Sequence, residues 1–180
     1  LQTGKNAKGQ DKSAYMFAVN AGYKFSPIFS LAAGVDYLSG TATPSSNTTD
    51  KTFDPFSGTN HKFYGFMDYY YVNNTPQIPQ VGLFNPYISA TLKTSEKGNL
   101  YAAGHYFRSA GKIDGKTRNL GVEADLVYTH KLQPFASLQV GYSVHKVSGS
   151  YNTLRGFSAT RPWQDWFWCS ININPTMLKL

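Results

Sequence analysis

The residues that could carry chemistry in this chain form only incomplete sets. His145 and Asp165 lie in neighbouring segments, where a histidine beside a carboxylate would suit the general base of a hydrolase. Such an enzyme also needs an activated serine, and no sequence pattern marks one. We therefore predict that the chain is not an enzyme and that it has no catalytic residues.

Metal sites are predicted to be absent as well. Asp50, Asp54 and Asp68 offer oxygen ligands of the kind that calcium prefers, but their spacing does not fit the EF-hand loop. Cys169 is the only cysteine, and no spacing of cysteine and histidine resembles a zinc site. We expect no metal and no cofactor.

The composition suits a lipid boundary. Charged residues make up 15% of the chain, against about 25% in an average soluble domain, and aromatic residues make up 16%. No window holds the roughly 18 consecutive apolar residues of a transmembrane helix. Lipid tolerates only helices and closed sheets, so a span in this chain would have to belong to a β-barrel.

Apolar and polar residues alternate with a period of two, which predicts strands with two different faces. Seven strands of about 9 to 12 residues are predicted, at positions 14–23, 29–37, 84–94, 99–108, 120–129, 136–145 and 166–174. In the fifth strand, Leu120, Val122 and Leu126 alternate with Glu123 and Asp125. The polar sides carry too many polar and charged residues to form a hydrophobic core, so we expect the apolar sides to face lipid. A soluble β-sandwich or lipocalin-like barrel is the alternative.

Short and long connections alternate between these strands. The short ones lie at 26–27, 95–98 and 131–134, and the long ones at 39–83, 109–118 and 147–162. Outer-membrane barrels have short periplasmic turns and longer outer loops. We therefore predict an all-β fold, a transmembrane antiparallel up-and-down β-barrel, with residues 1–180 as a single barrel segment and the long connections as extracellular loops.

The strand number indicates that the barrel is larger than this segment. Seven is odd, whereas single-chain bacterial barrels have an even number of strands. The first ten residues are expected to be a strand end and a loop. We expect upstream strands, or another chain, to complete a barrel of about 14 to 18 strands. Residues 61–72 are assigned to the long outer loop, since a further span there would break the alternation of connections.

The formal net charge of +7 belongs mainly to the predicted outer loops. Nucleic-acid binding is excluded, because the chain has no run of Lys and Arg. Basic residues around the mouth could instead steer an anionic solute. The residues assigned to this steering are Arg108, Lys112, Lys116, Arg118, Arg155 and Arg161. The alternatives are binding to lipid phosphates, including those of lipopolysaccharide, and simple solvation.

Two further groups of residues are predicted to shape the pore. The pore-lining residues are Lys24, Asp36, Lys93, His105, Glu123, Asp125, Gln139, His145, Trp166 and Trp168. A loop constriction is assigned to Asn60, His61, Lys62, Tyr64 and Asp68, because loops narrow many barrels. A loop packed only on itself is the alternative, and the two tryptophans could either stack on sugar rings or merely fill the wall.

The stretch FDPFSGTNHKFYGFMD at 53–68 resembles a signature of the alginate-export family of outer-membrane barrels, especially its members in Bacteroidetes-type bacteria. The similarity extends over 15–40, 87–107, 120–145 and 165–174. It implies a large single-chain barrel of which this chain is the C-terminal part, with 53–68 in a long loop. The activity that it implies is passage of an anionic polysaccharide or a smaller solute.

The chain departs from that family in two ways. It ends without the terminal aromatic residue common in such barrels, and its inward positions mix basic residues with Asp36, Glu123 and Asp125. We therefore predict a channel of the bacterial outer membrane, in contact with the lipid bilayer, for passive passage of a polar or anionic saccharide or small solute. A scaffold or receptor in a larger outer-membrane complex and a rim hydrolase are the alternative functions.

Overall fold

The computed structural model describes residues 1–43, 48–55, 61–70, 80–158 and 162–175. Its ten strands are β1 (Gln2–Lys5), β2 (Asp11–Ala14), β3 (Met16–Ser26), β4 (Phe29–Leu38), β5 (Thr49–Asp50), β6 (Leu83–Lys93), β7 (Gly98–Arg108), β8 (Asn119–Gln133), β9 (Ala136–Val147) and β10 (Trp163–Ile173). The prediction of an all-β fold is confirmed. One short helix, α1 (Gly149–Arg155), follows β9. No helix among these residues is long and apolar enough to cross a membrane.

Seven long strands form one antiparallel sheet in which each strand pairs with its neighbour along the chain. The order is β10-β9-β8-β7-β6-β4-β3. Their positions confirm the seven strands predicted from the alternation. β8 extends further than predicted, to Gln133, so the turn into β9 contains only Pro134 and Phe135. Over the described residues the sheet is open, because β3 and β10 lie at its two edges and do not pair with each other.

The sheet has one polar face and one apolar face. Glu123 and Asp125 on the polar face of β8 are each 3% exposed, because other parts of the chain cover them. On the apolar face, Leu126 and Ile171 are 46% and 63% exposed. The apolar face is therefore the outer surface of the described structure, and the polar face is the covered one.

A bulge near the start of β8 overturns the predicted position of Leu120. Phe107 pairs with Gly121 but Arg108 pairs with Asn119, so Leu120 is an extra residue opposite this pair. A bulge of this kind shifts the alternation by one position. Leu120 is consequently fully buried instead of lying on the apolar face with Val122.

The long connections carry local structure at one end of the sheet. β1 and β2 form an antiparallel hairpin, and β5 adds to β2 in parallel, where only a strand end and a loop were expected. Helix α1 lies in the predicted loop 147–162. The Ser148 hydroxyl caps its N-terminus by accepting a hydrogen bond from the Tyr151 amide at 3.2 Å. Gly156 ends the helix with a left-handed φ of 70°.

A hydrophobic core fills the space between these connections and the ends of the strands. Its members include Leu38, Val81, Phe107, Leu120 and Tyr151. They come from strand ends, from the long connections and from α1. The core therefore holds the long connections together at one end of the sheet.

Candidate functional site on the polar face

The strand register brings the predicted pore-lining residues to one face of the sheet. Residues directly opposite each other in antiparallel strands share a face, and the paired rows run from His105 to Glu123 and on to His145. The same parity places all the predicted positions on the polar face: Lys24, Asp36, Lys93, His105, Glu123, Asp125, Gln139, His145, Trp166 and Trp168. Lys24 and Lys93 are exposed near the short turns, whereas His145 is fully buried.

Residues 61–70, which we call the inner segment, pack across the polar face. The Met67 amide donates a hydrogen bond to Glu123 Oε1 at 3.0 Å, and the Tyr69 hydroxyl donates one to Gln164 Oε1. The His61 ring lies 4.4 Å from the Trp166 ring, centroid to centroid. The inner segment thus touches β8 and β10 and covers the polar groups between them.

Tyr70 anchors the end of the inner segment. Its hydroxyl lies 2.9 Å from Nε2 of His145. Burial raises the pKa of the Tyr70 phenol well above its usual range, so this hydroxyl keeps its proton and shares a hydrogen bond with Nε2 of His145. The other ring nitrogen of His145, Nδ1, is buried and has no hydrogen-bond partner among the described residues.

The inner segment is also tied to itself by Asp68. The His61 amide donates to Asp68 Oδ1 at 2.8 Å. Nδ1 of His61 lies 2.8 Å from the Phe66 carbonyl oxygen and 2.9 Å from Asp68 Oδ2; both are acceptors, so this nitrogen carries a proton. Backbone strain is concentrated here, since His61, Tyr64 and Asp68 all have positive φ. The turn is held by side chains instead of by regular structure.

The predicted constriction residues therefore have different positions. Tyr64 and Asp68 are buried, His61 is exposed on one side while it contacts Trp166, and Lys62 lies with its ammonium 5.3 Å from the centre of the Phe63 ring. Asn60 lies outside the described residues. The segment packs both on itself and on the polar face of the sheet, so a loop packed only on itself is not what the structure has.

A polar network crosses five strands beneath the inner segment. Asn85 donates to Asp36 Oδ2 at 3.0 Å, and its Oδ1 lies 3.1 Å from Nδ1 of His105. Nε2 of His105 lies 3.7 Å from Asp125 Oδ2, which is longer than a hydrogen bond. Ser143 donates to the other oxygen of Asp125 at 2.5 Å. These contacts link β4, β6, β7, β8 and β9.

Sequence reasoning missed Asn85 and Ser143 as members of this network. Ser143 follows the polar alternation of β9, but a serine in a strand carries no distinctive signal. Asn85 pairs directly with Asp36, and this register could not be derived without the structure. Asn85 donates a hydrogen bond to the carboxylate of Asp36, and Ser143 donates one to that of Asp125. Glu123 Oε2 and Asp125 Oδ2 have no hydrogen-bond partner among the described residues.

Glycines allow two aromatic rings to lie flat on the polar face. A Cβ at Gly34 would lie 2.5 Å from Cζ of Tyr87, and a Cβ at Gly141 would lie 2.2 Å from the Trp168 ring. Trp168 stacks on Trp166 with 5.8 Å between the centroids. The face therefore presents broad ring surfaces beside its polar groups.

The basic residues assigned to anion steering do not converge on the polar face. Arg108 is exposed and lies on the side of β7 opposite to Phe107. The positive charge of Arg118 acts on Tyr37, which is a residue of the apolar face. Lys112 and Lys116 are exposed in the connection between β7 and β8. The Arg155 guanidinium lies 5.7 Å from the centre of the Tyr151 ring and 5.5 Å from that of Phe157. Arg161 lies outside the described residues.

The register contradicts the suggested pairing of His145 with Asp165. His145 pairs with Gln164, and Asp165 pairs with Val144. Because adjacent residues of a strand point to opposite faces, the two side chains lie on opposite sides of the sheet and cannot form a catalytic pair.

Two of the three aspartates considered for calcium have other partners in the structure. Asp50 is 3.5 Å from Lys12 Nζ, and Asp68 is held in the inner segment. Within the described parts of the chain, no three His, Cys, Asp or Glu side chains gather in a way that could hold a metal ion.

Comparison of the chain with protein-family models, with curated proteins and with solved structures gives no match. The resemblance to the alginate-export family therefore stays a prediction that depends on the residues quoted for it. What can be said of function comes from the two faces of the sheet and from the segment that covers the polar one.

Proposed function

We propose that the chain forms part of the wall of a channel in the bacterial outer membrane, with the apolar face toward lipid and the polar face toward a water-filled interior. The observation that supports this most directly is in β8, where exposed Val122 and Leu126 alternate with buried Glu123 and Asp125. A sheet that leaves its apolar side open and covers its carboxylates fits a barrel whose solvent outside is lipid.

The apolar face exposes more large apolar side chains than the surface of a soluble protein usually does. It exposes large side chains on most strands, including Val19, Ile88, Leu126, Phe167 and Ile171. Removing each from water is worth about 1.5–3 kcal/mol, and soluble proteins seldom leave apolar patches of this extent open. The long strands contain 10 to 15 residues, enough to cross a bilayer that needs about 9–11 tilted residues.

The rims of the apolar face carry the residues that prefer a membrane interface. Tyr15, Tyr37 and Trp163 lie toward the long connections, and Lys146 places its ammonium 5.3 Å from the centre of the Trp163 ring. Aromatic rings and basic side chains of this kind contact lipid headgroups, including the phosphates of lipopolysaccharide. Arg108 and Arg118 suit that role better than steering of a solute.

Closure of the barrel requires further strands beside β3 and β10, because an open sheet edge in lipid leaves unpaired backbone groups. We propose that they come from another part of the same polypeptide or from another chain, in a barrel of about 14 to 18 strands. The inner segment then lies inside this barrel and narrows it. The solute is a polar or anionic saccharide or another small polar molecule.

Conductance of the full-length protein in planar bilayers tests the proposal. We expect discrete current steps, and larger steps after the inner segment is replaced by a flexible glycine-serine linker, because the linker no longer fills the interior. The matched control is a glycine-serine replacement of the exposed turn at 114–116, which should leave the step size unchanged. Absence of current from both the native protein and the linker variant would reject the channel and favour a scaffold or receptor function.

A further inference from the structure

We propose that the cleft between the inner segment and strands β3, β4, β6 and β7 binds one ring of a neutral saccharide. This inference rests on the proposed channel, because the cleft opens into the interior that the channel requires. Its volume is 330 Å³, at the small end of the range of about 300–1,000 Å³ for small-molecule sites. The cleft can therefore hold a small ring compound but not a folded chain.

Aromatic rings form the apolar walls of the cleft. Tyr87, Tyr101 and Phe66 all line it. Phe66 meets Tyr101 edge to face at 6.1 Å between centroids, and Tyr87 stacks on His105 at 5.4 Å. The rings are held by these contacts before any ligand arrives, so binding needs little ordering of side chains. The C–H face of a pyranose ring is apolar and packs on surfaces of this type.

Gly34 sets the position of the Tyr87 ring. A Cβ at residue 34 would lie 2.5 Å from both Cζ and Oη of Tyr87 and 2.9 Å from Cβ of Asn20. Only the missing side chain allows the ring to lie across β4 toward Asn20 of β3. The platform thus depends on a glycine in one strand and a tyrosine in the next.

Polar groups beside the rings match the hydroxyl groups of a sugar. Asn20, Asp36 and Lys62 line the cleft. Asn85 donates to Oδ2 of Asp36, whereas Oδ1 has no hydrogen bond within the described part of the chain. An amide, a carboxylate and an ammonium together offer donors and acceptors, and sugar hydroxyls can pair with all of them.

The charges around the cleft favour a neutral ring over a uronic acid. Among the residues that line the cleft, Asp36 and Lys62 carry opposite charges that offset each other. A sugar carboxylate would therefore meet no surplus of basic groups in the cleft. The cleft therefore selects against the anionic sugar that the family resemblance implies.

Calorimetric titration of the full-length protein in detergent tests this site without requiring transport. The probes are maltotriose and cellotriose as neutral sugars, and trigalacturonate as an anionic sugar of the same length. We expect at least one neutral sugar to bind about tenfold more tightly than trigalacturonate, and Tyr87→Ala to weaken that binding by about tenfold. Tyr87→Phe, which keeps the ring, should retain most of the affinity.

Matched variants keep the test specific. Tyr106→Ala removes a tyrosine from the apolar face and should leave sugar binding unchanged, while Asp36→Asn should bring trigalacturonate within about threefold of the neutral sugar. The inference is overturned if no neutral sugar binds, if trigalacturonate binds more tightly, or if Tyr87→Ala and Tyr106→Ala have equal effects. Because binding is measured without a membrane, these results are independent of whether the conductance experiment finds a current.

Discussion

Gly65 is the position where the smallest change should release the inner segment from the sheet. It has a left-handed φ of 85°, and a Cβ there would lie 2.3 Å from Oε1 of Glu123. The same oxygen accepts the hydrogen bond from the Met67 amide. Gly65→Ala therefore introduces backbone strain and a steric clash at the contact that holds the segment on β8.

The cost can be estimated from these two effects. A left-handed conformation costs a residue with a Cβ about 1–2 kcal/mol. Displacement of Glu123 breaks the hydrogen bond that its carboxylate accepts from the Met67 amide. Leaving a buried polar group without a partner costs about 1–3 kcal/mol. Together these give about 2–5 kcal/mol against docking of the segment, or a population change of about 30-fold to 4,000-fold.

Hydrogen exchange of the Met67 amide measures docking directly. This amide is protected only while the segment lies on Glu123, so we expect its exchange to accelerate by about 30-fold to 4,000-fold in Gly65→Ala. Amides in the middle of β8 should keep their protection, because the strand ladder does not depend on the segment. The conductance steps of the variant should also become larger.

Gly115→Ala is the matched control, since Gly115 has a left-handed φ of 63° but nothing within 4 Å of its Cβ position. It carries the backbone strain without the clash and should leave Met67 protected. Equal exchange of Met67 in the native protein and in Gly65→Ala would refute the assigned contact.

Three further predictions concern the two faces and the small sheet. Leu126→Arg on the apolar face should destabilise the membrane-inserted state by about 2–4 kcal/mol, whereas Gln139→Arg on the polar face should destabilise it far less. The free energy of folding into lipid vesicles, measured at equilibrium, compares the two variants. Equal effects would contradict the assignment of the faces. Tyr70→Phe should lower the free energy of unfolding by about 1–3 kcal/mol, because it removes the partner of buried His145, and Tyr106→Phe is its control in thermal unfolding. The pKa of Asp50 is lowered: burial would raise it, but hydrogen bonds from Thr52 and Asn6 and the charge of Lys12 outweigh burial. Asp50 therefore stabilises the small sheet above its unfolded pKa of about 3.8, and this is lost as the pH falls through the lower folded value. Chemical shifts in β5 should change over that range in the native protein and not in Asp50→Asn.

The strands themselves were predictable, because side-chain alternation is a local property of the chain. The segments around Val122 to Tyr128 and Leu138 to Val144 show it plainly, and the structure has strands at both. The same alternation also separates His145 from Asp165, since Asp165 shares its parity with Phe167 on the apolar side. The suggested catalytic pair could have been excluded before the register was known.

Other features depend on contacts between distant residues. Leu120 leaves the alternation because a bulge opposite Arg108 adds one residue to β8, and no local pattern marks that shift. Helix α1 had a detectable signal in Ser148 and Gly156, but a seven-residue helix is stable only through its packing, here with Tyr151 and Leu154 in the core.

The amino-acid order was enough to establish the strands, their polar and apolar sides and the alternation of short and long connections, since each of these follows from neighbours along the chain. Three other features join residues that are 18 to 75 positions apart in their direct hydrogen bonds and contacts. They are the docking of the inner segment on Glu123 and His145, the network from Asp36 to Ser143, and the ring of Tyr87 over Gly34. Their geometry depends on register and on loop packing, which arise only when the whole sheet is assembled.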